Sequence, residues 1–266
     1  MPFHCSYDLD QRLDRELVNL NQSLYRRLQS ALSDGYKLQF SDDGFPNAVQ
    51  YYLLYVAALI YGAADAALTL TLHNLGREAR VLERQIFEYW LRAAYFADHP
   101  EEARVALHST PFQEKKLLDE FGYTKESDRY REVLESCDIV EGKMPAAKQY
   151  REPSVRQIID PKNNPDLARF YALHYRASSQ MAHASFNGVG GVWGPNGLSF
   201  DSRQDDPNFT IVSVTKYLLV FIELAHRELR LGLDADIDEF RRRFMAVQER
   251  LATLERPKGA ASAESS

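Results

Sequence analysis

Cysteine, glycine and proline are all scarce in this chain of 266 residues, and each scarcity excludes something. Two cysteines, Cys5 and Cys137, cannot build a disulfide framework, so a reducing, cytoplasmic compartment is expected. Thirteen glycines and eleven prolines are too few for a turn-rich sheet protein and favour long helices. A basic excess is also missing. The formal net charge is −6, which argues against a protein that grips a long duplex through phosphate contacts. The N-terminal MPFHCSYDLDQ lacks the basic and apolar segments of a secretory signal, so none is expected. There is no H-E-x-x-H, no C-x-x-C and no histidine cluster, and His174 and His183 fall on opposite faces of a helix. Neither a metal nor a cofactor is therefore expected.

What is present reads as helix. Hydrophobic residues make up 45% of the chain and charged residues 26%, as in an ordinary globular protein. Leu13, Leu17, Leu20, Leu24 and Leu28 recur at three- and four-residue spacing, which predicts an amphipathic helix over 8–33. A second helix over 46–75 is apolar nearly all round and is expected to sit centrally. Its stretch 53–72 is long enough to span a bilayer core of ~30 Å, but Asp65 near its middle favours a buried core helix and no membrane partner. A third helix ends before Pro100, and Pro100 and Pro111 each read as first-turn residues of a further helix. Gly122 reads as a stop, 125–137 as a short helix, and SVRQIID as a brief helical turn within the proline-punctuated 138–164. Asn164-Pro165-Asp166 caps a helix that runs to Asn187-Gly188. The glycine-rich 188–206 has room for a small hairpin, and two more helices follow, from Pro207 to Gly232 and over 235–255. The expected fold is all-α: a single-domain helical bundle of seven to eight helices over 1–256 with one long glycine-rich loop. A disordered tail, 257–266, completes the chain.

The stretch YRASSQMAHASFNG, residues 175–188, poses the chemical question. On a helix, Arg176, Ser179, Gln180, His183 and Asn187 share one side. Histidine can transfer protons near neutral pH, and arginine can hold a phosphate. The same residues can equally form a hydrogen-bonded ladder between helices, since buried polar groups need partners. Arg80, Arg84 and Glu88 form a second one-sided row, on the third helix. Leu82, Ile86, Phe87, Trp90 and Leu91 leave that row little polar surroundings, so partial burial and matched charges are expected. Glu88 is expected to meet Arg176 or His183.

These residues carry two resemblances. RQIFEYW followed by YRASSQMAH resembles a bacterial all-helical family classed only as a domain of unknown function. Its members carry Arg-x-x-x-Glu on one helix, here Arg84 and Glu88, and Tyr-x-x-x-Ser-x-x-x-His on a later one, here Tyr175, Ser179 and His183. The chain is more remotely similar to HEPN ribonucleases, helical proteins with an arginine, four to six residues, then a histidine. Three pairs fit that spacing: Arg92 with His99, Arg169 with His174, and Arg176 with His183. Ala177 stands where the HEPN pattern prefers a polar residue. The resemblance implies metal-independent RNA cleavage by Arg176 and His183 in a homodimer, in toxin or phage-defence systems. Arg84, Glu88, Tyr175, Ser179 and Asn187 would then bind or orient the substrate. A non-catalytic helical binding or regulatory protein, with the same residues as a ladder, is the other reading.

Overall fold

The computed structural model describes residues 11–33, 36–40, 44–73, 75–159, 165–171, 193–194, 197–198 and 207–254. The chain is all-α, as its periodicity predicts. Seven long helices occur among the described residues: α1 (Gln11–Ser33), α2 (Ala48–Leu72), α3 (Gly76–Asp98), α4 (Pro100–Glu120), α5 (Asp128–Lys143), α8 (Pro207–Leu229) and α9 (Asp234–Leu254). Two short ones, α6 (Val155–Ile158) and α7 (Pro165–Phe170), and a 3-10 turn at Pro145–Gln149 complete the helical set. Within 188–206, β1 (Trp193–Gly194) and β2 (Gly197–Leu198) form the small antiparallel hairpin, with Trp193 opposite Leu198. The tail 257–266 lies outside the described residues.

The chain divides into two compact units, neither of them contiguous in sequence. One comprises Met1–Lys37, Val56–Trp90 and Pro161–Ser266; the other comprises Leu38–Tyr55 and Leu91–Asp160. In the first, α1 packs against α8 and α9. Its leucine stripe is the reason: Leu17, Leu20, Leu24 and Leu28 are all buried. Asn21 sits inside that stripe, and its Nδ2 donates to the Leu17 carbonyl at 3.0 Å and to Thr215 Oγ1 of α8 at 2.5 Å. Tyr25 of α1 also stacks on Tyr61 of α2, with ring centroids 3.4 Å apart.

In the second unit α4 packs against α5 and the 3-10 turn. Here the structure corrects one expectation. Pro111 does not start a new helix; α4 runs through it from Pro100 to Glu120. A proline at this position removes the N–H that would bond the Leu107 carbonyl. Thr110 Oγ1 donates to that carbonyl instead, at 2.8 Å, so the acceptor stays satisfied. Gly122 ends the helix as expected. Its φ of +75° suits glycine, and the Gly122 and Tyr123 amides return to the Asp119 and Leu118 carbonyls. The SVRQIID turn is α6, held by a capping box in which Ser154 and Gln157 exchange hydrogen bonds. Helix α5 runs six residues past the expected end at 137, to Lys143.

The second helix is also less enclosed than its composition suggests. Val56, Ile60, Ala64, Ala67, Leu68 and Thr71 are buried along one side. Tyr51, Tyr55, Tyr61 and Leu72 are exposed. By length and composition α2 could cross a membrane, and 44% of its apolar window is buried. It is a one-sided core helix with an apolar outer face, not a fully enclosed one.

Candidate functional site

The best-defined polar cluster of the first unit lies where α3 meets α8. Helix α3 starts at Gly76 with Glu78 in its first turn, where a carboxylate suits the positive end of the helix dipole. Ala79, Glu83, Ile86, Phe87 and Leu91 then form its buried stripe. Four of these are ordinary core residues. The fifth is a carboxylic acid, 4% exposed.

Beside that stripe runs the row Arg80, Arg84 and Glu88. Arg84 Nε lies 3.0 Å from Glu88 Oε1, and the two side chains are only 16% and 23% exposed. The matched, part-buried charge pair expected from the sequence is therefore present. Arg80 approaches Glu83, one helical turn earlier, closely enough for its positive charge to act on that carboxyl. From α8, Ser213 hydrogen-bonds to Glu83, and Tyr217 packs with Phe87 and Trp90 at centroid distances of 5.6 and 6.5 Å. Glu83 meeting Ser213 and Trp90 meeting Tyr217 means that α3 and α8 run in the same direction along this contact. Phe87 and Trp90 also touch each other, so the cluster has an aromatic floor.

Burial dominates the electrostatics. It pushes the Glu83 carboxyl up to about 7, against the pull of the Arg80 guanidinium and the Ser213 hydrogen bond. Burial likewise raises the Tyr217 phenol far above its usual range, with the nearby Glu83 adding to the effect. Glu83 Oε2 and Thr210 Oγ1 are both buried with no hydrogen-bond partner among the described residues. Thr210 precedes Ser213 by three residues, so it lies on the same face of α8. A carboxyl that titrates near neutrality inside a cluster of paired charges can take up or release a proton under ordinary conditions.

Glu83 is the residue that the sequence reading overlooked. Glu83 lies off the four-residue row 80, 84, 88, three residues on from Arg80. The available signal was a single charged residue within the apolar stripe 79, 83, 86, 87. Of the other expected site residues, Tyr175, Arg176, Ser179, His183 and Asn187 lie outside the described residues, as does any partner they offer to Glu88. The described part of the expected 165–187 helix is α7 together with Tyr171.

The competing arginine and histidine pairs can be placed in part. Arg92 is ion-paired with Glu152. His99 stacks on Tyr95 at 4.3 Å, and its Nδ1 lies 2.9 Å from the Tyr95 carbonyl. Both side chains therefore have local structural work in the second unit. That unit also holds a pocket of about 280 Å³ beside His108. His108 Nδ1 lies 2.8 Å from the Arg104 carbonyl and its ring packs on Phe45, as expected of a core histidine. Arg129 at the pocket rim is taken up by Glu114 and Glu132. Among the described residues, no group of three or more His, Cys, Asp or Glu is placed to hold a metal.

One comparison with known proteins gives a match. The model of a family of unknown function (DUF5677) matches residues 50–197, a span that includes α3 and its Arg84–Glu88 pair. No curated protein and no solved structure matches the chain.

Proposed function

The chain belongs to this family of unknown function, and we propose that it is a metal-independent, HEPN-like ribonuclease of the cytoplasm, active as a homodimer in a toxin or phage-defence system. Arg176 holds the scissile phosphate. The ribose 2′-oxygen attacks phosphorus and gives its proton to His183 as the bond to the 5′-oxygen breaks. The leaving oxygen takes a proton from water, and the products are a 2′,3′-cyclic phosphate and a 5′-hydroxyl. Tyr175, Ser179 and Asn187 orient the substrate.

The observation that carries this reading is the Arg84–Glu88 pair. It is built into the fold beside a carboxyl that titrates near neutrality, rather than lying on a solvated helix face. Burying charge in this way is costly, and perturbed groups of this kind gather at functional sites. The engagement of Arg92 and His99 elsewhere also favours Arg176 and His183 among the three matching pairs. The test is cleavage of single-stranded RNA in EDTA, with the product ends analysed. Wild type should leave 2′,3′-cyclic phosphate ends, and Arg176→Ala and His183→Ala should each abolish cleavage. Equal trace activity in wild type and His183→Ala would mean contamination and end the reading.

The buried Asn21–Thr215 hydrogen bond favours a second reading, a non-catalytic helical binding or regulatory protein. It shows this fold joining helices through polar side chains in the core. On that reading His183→Ala lowers stability by ~1–3 kcal/mol for each partner it strands, and no RNA is cut.

A further inference from the structure

We propose that the hollow between α4, α5 and the loop carrying Phe45 is a binding site for a small organic cation with an apolar body. The inference does not rest on the ribonuclease reading. The hollow lies wholly within the second unit, and its volume of about 280 Å³ is at the small end for a ligand pocket, ~300–1,000 Å³. Leu107 and Pro111 of α4, Val133 and Val140 of α5, and Phe45 give it apolar walls, and Tyr51 lines it while 49% exposed. Its charged side is formed by Glu114, Arg129 and Glu132, which pair with one another. Two carboxylates against one guanidinium leave that side with one net negative charge.

The two carboxylates are not equally matched. Glu114 Oε1 receives Arg129 Nε at 2.8 Å and Nη2 at 2.6 Å, a two-pronged contact. Glu132 receives a single longer one, from Nη1 at 3.2 Å, and its side chain is 65% exposed. An exposed pair of that kind contributes ~0–1 kcal/mol, so Glu132 can turn to another cation at little cost. An ammonium group can therefore meet Glu132 while its apolar body lies against the walls. A carboxylate ligand would have to displace Glu114 or Glu132 from Arg129, against the net charge. Lys143 Nζ already stands over the Phe45 ring, 5.7 Å from its centroid, so this aromatic wall accepts an alkylammonium in the fold itself. Helix α4 also departs from the usual pattern at this place. Pro111 deprives it of one N–H, and Thr110, another lining residue, takes over the Leu107 carbonyl. Local rules are broken in this way chiefly at functional sites, and here the exchange yields a stiff apolar wall.

The probes are 4-fluorophenethylamine, the matching alcohol and 3-(4-fluorophenyl)propionate, which share one apolar body and differ in charge. Each is titrated into the full chain at pH 7 and low salt, and binding is followed by fluorine NMR. The amine is charged at this pH. It should bind about ten times more tightly than the alcohol, as a charge-assisted contact requires, and the propionate should bind more weakly than the alcohol. Glu132→Gln should bring amine and alcohol within about twofold of each other without weakening the alcohol. Ser136→Phe, which fills the hollow from α5, should abolish binding of all three. An amine no tighter than the alcohol, a preference for the propionate, or an amine preference that survives in Glu132→Gln would each overturn the proposal. So would unchanged binding by Ser136→Phe, or no binding of any probe at about 10 mM. Should Ser136→Phe fail to fold by circular dichroism, Glu132→Gln decides alone, because its side chain is exposed.

Discussion

Replacing Glu83 by glutamine should change how stability depends on pH, in a direction that its burial sets. The carboxyl ionises near pH 4.5 in an unfolded chain and at about 7 in the folded protein, because burial disfavours the charge. Between those values the folded protein binds a proton that the unfolded chain has already lost. The carboxyl's contribution is therefore fully present below pH 4.5 and is lost as pH rises through 7. At about 1.4 kcal/mol per pH unit the loss totals about 3 kcal/mol. Glutamine carries the same shape and no titrating proton, so its variant should escape this decline. Urea denaturation of both proteins at pH 4, 5, 6, 7 and 8 measures the difference. Relative to wild type, the glutamine variant should gain about 3 kcal/mol between the acid and alkaline ends. Two stability curves that stay parallel within about 0.5 kcal/mol would refute the buried-acid argument.

Two further substitutions test the fold. Asn21→Ala removes a buried donor to the Leu17 carbonyl and Thr215, and should lower the urea midpoint by an amount equivalent to about 1–3 kcal/mol at unchanged m. Pro111→Ala should restore the N–H that α4 lacks opposite the Leu107 carbonyl and raise Tm, by the equivalent of about 1–3 kcal/mol. A fall in Tm would mean that Pro111 contributes more through its packing than it costs the helix.

The helical order was legible because three- and four-residue spacing is a direct image of the helix surface. The α1 leucines and the stops at Gly122 and Gly232 are examples, both glycines standing at positive φ. Pro111 misled because the compensation is a hydroxyl one residue earlier, a side-chain event that no backbone rule anticipates. The outer face of α2 misled for a different reason. Hydropathy reports what a segment can bury, while burial depends on which neighbours arrive, and Tyr51 and Tyr55 are exposed despite their composition. The Arg84–Glu88 pair was legible from its i,i+4 spacing alone. Glu83 needed the opposite inference, that a polar residue within an apolar stripe is the informative one.

Glu83 also bears on whether the α3 cluster serves stability or function. An i,i+4 pair such as Arg84–Glu88 stabilises an exposed helix by only ~0.2–0.5 kcal/mol. The neighbouring acid, buried with one oxygen unpartnered among the described residues, costs about 3 kcal/mol once it ionises. Apolar side chains of similar volume usually serve a core better than buried charge does. Leucine at 83 would extend the stripe of Ala79, Ile86 and Phe87 without that cost. A ladder built only to join α3 and α8 gains nothing from an acid that is half ionised near pH 7, because half the molecules then carry an uncompensated cost. Glu83→Gln is therefore expected to be the more stable protein above pH 7 and the one whose stability responds less to pH. If it were more stable and cut RNA with unaltered pH dependence, the acid would be a cost without a use, and the functional reading of α3 would lose its main support.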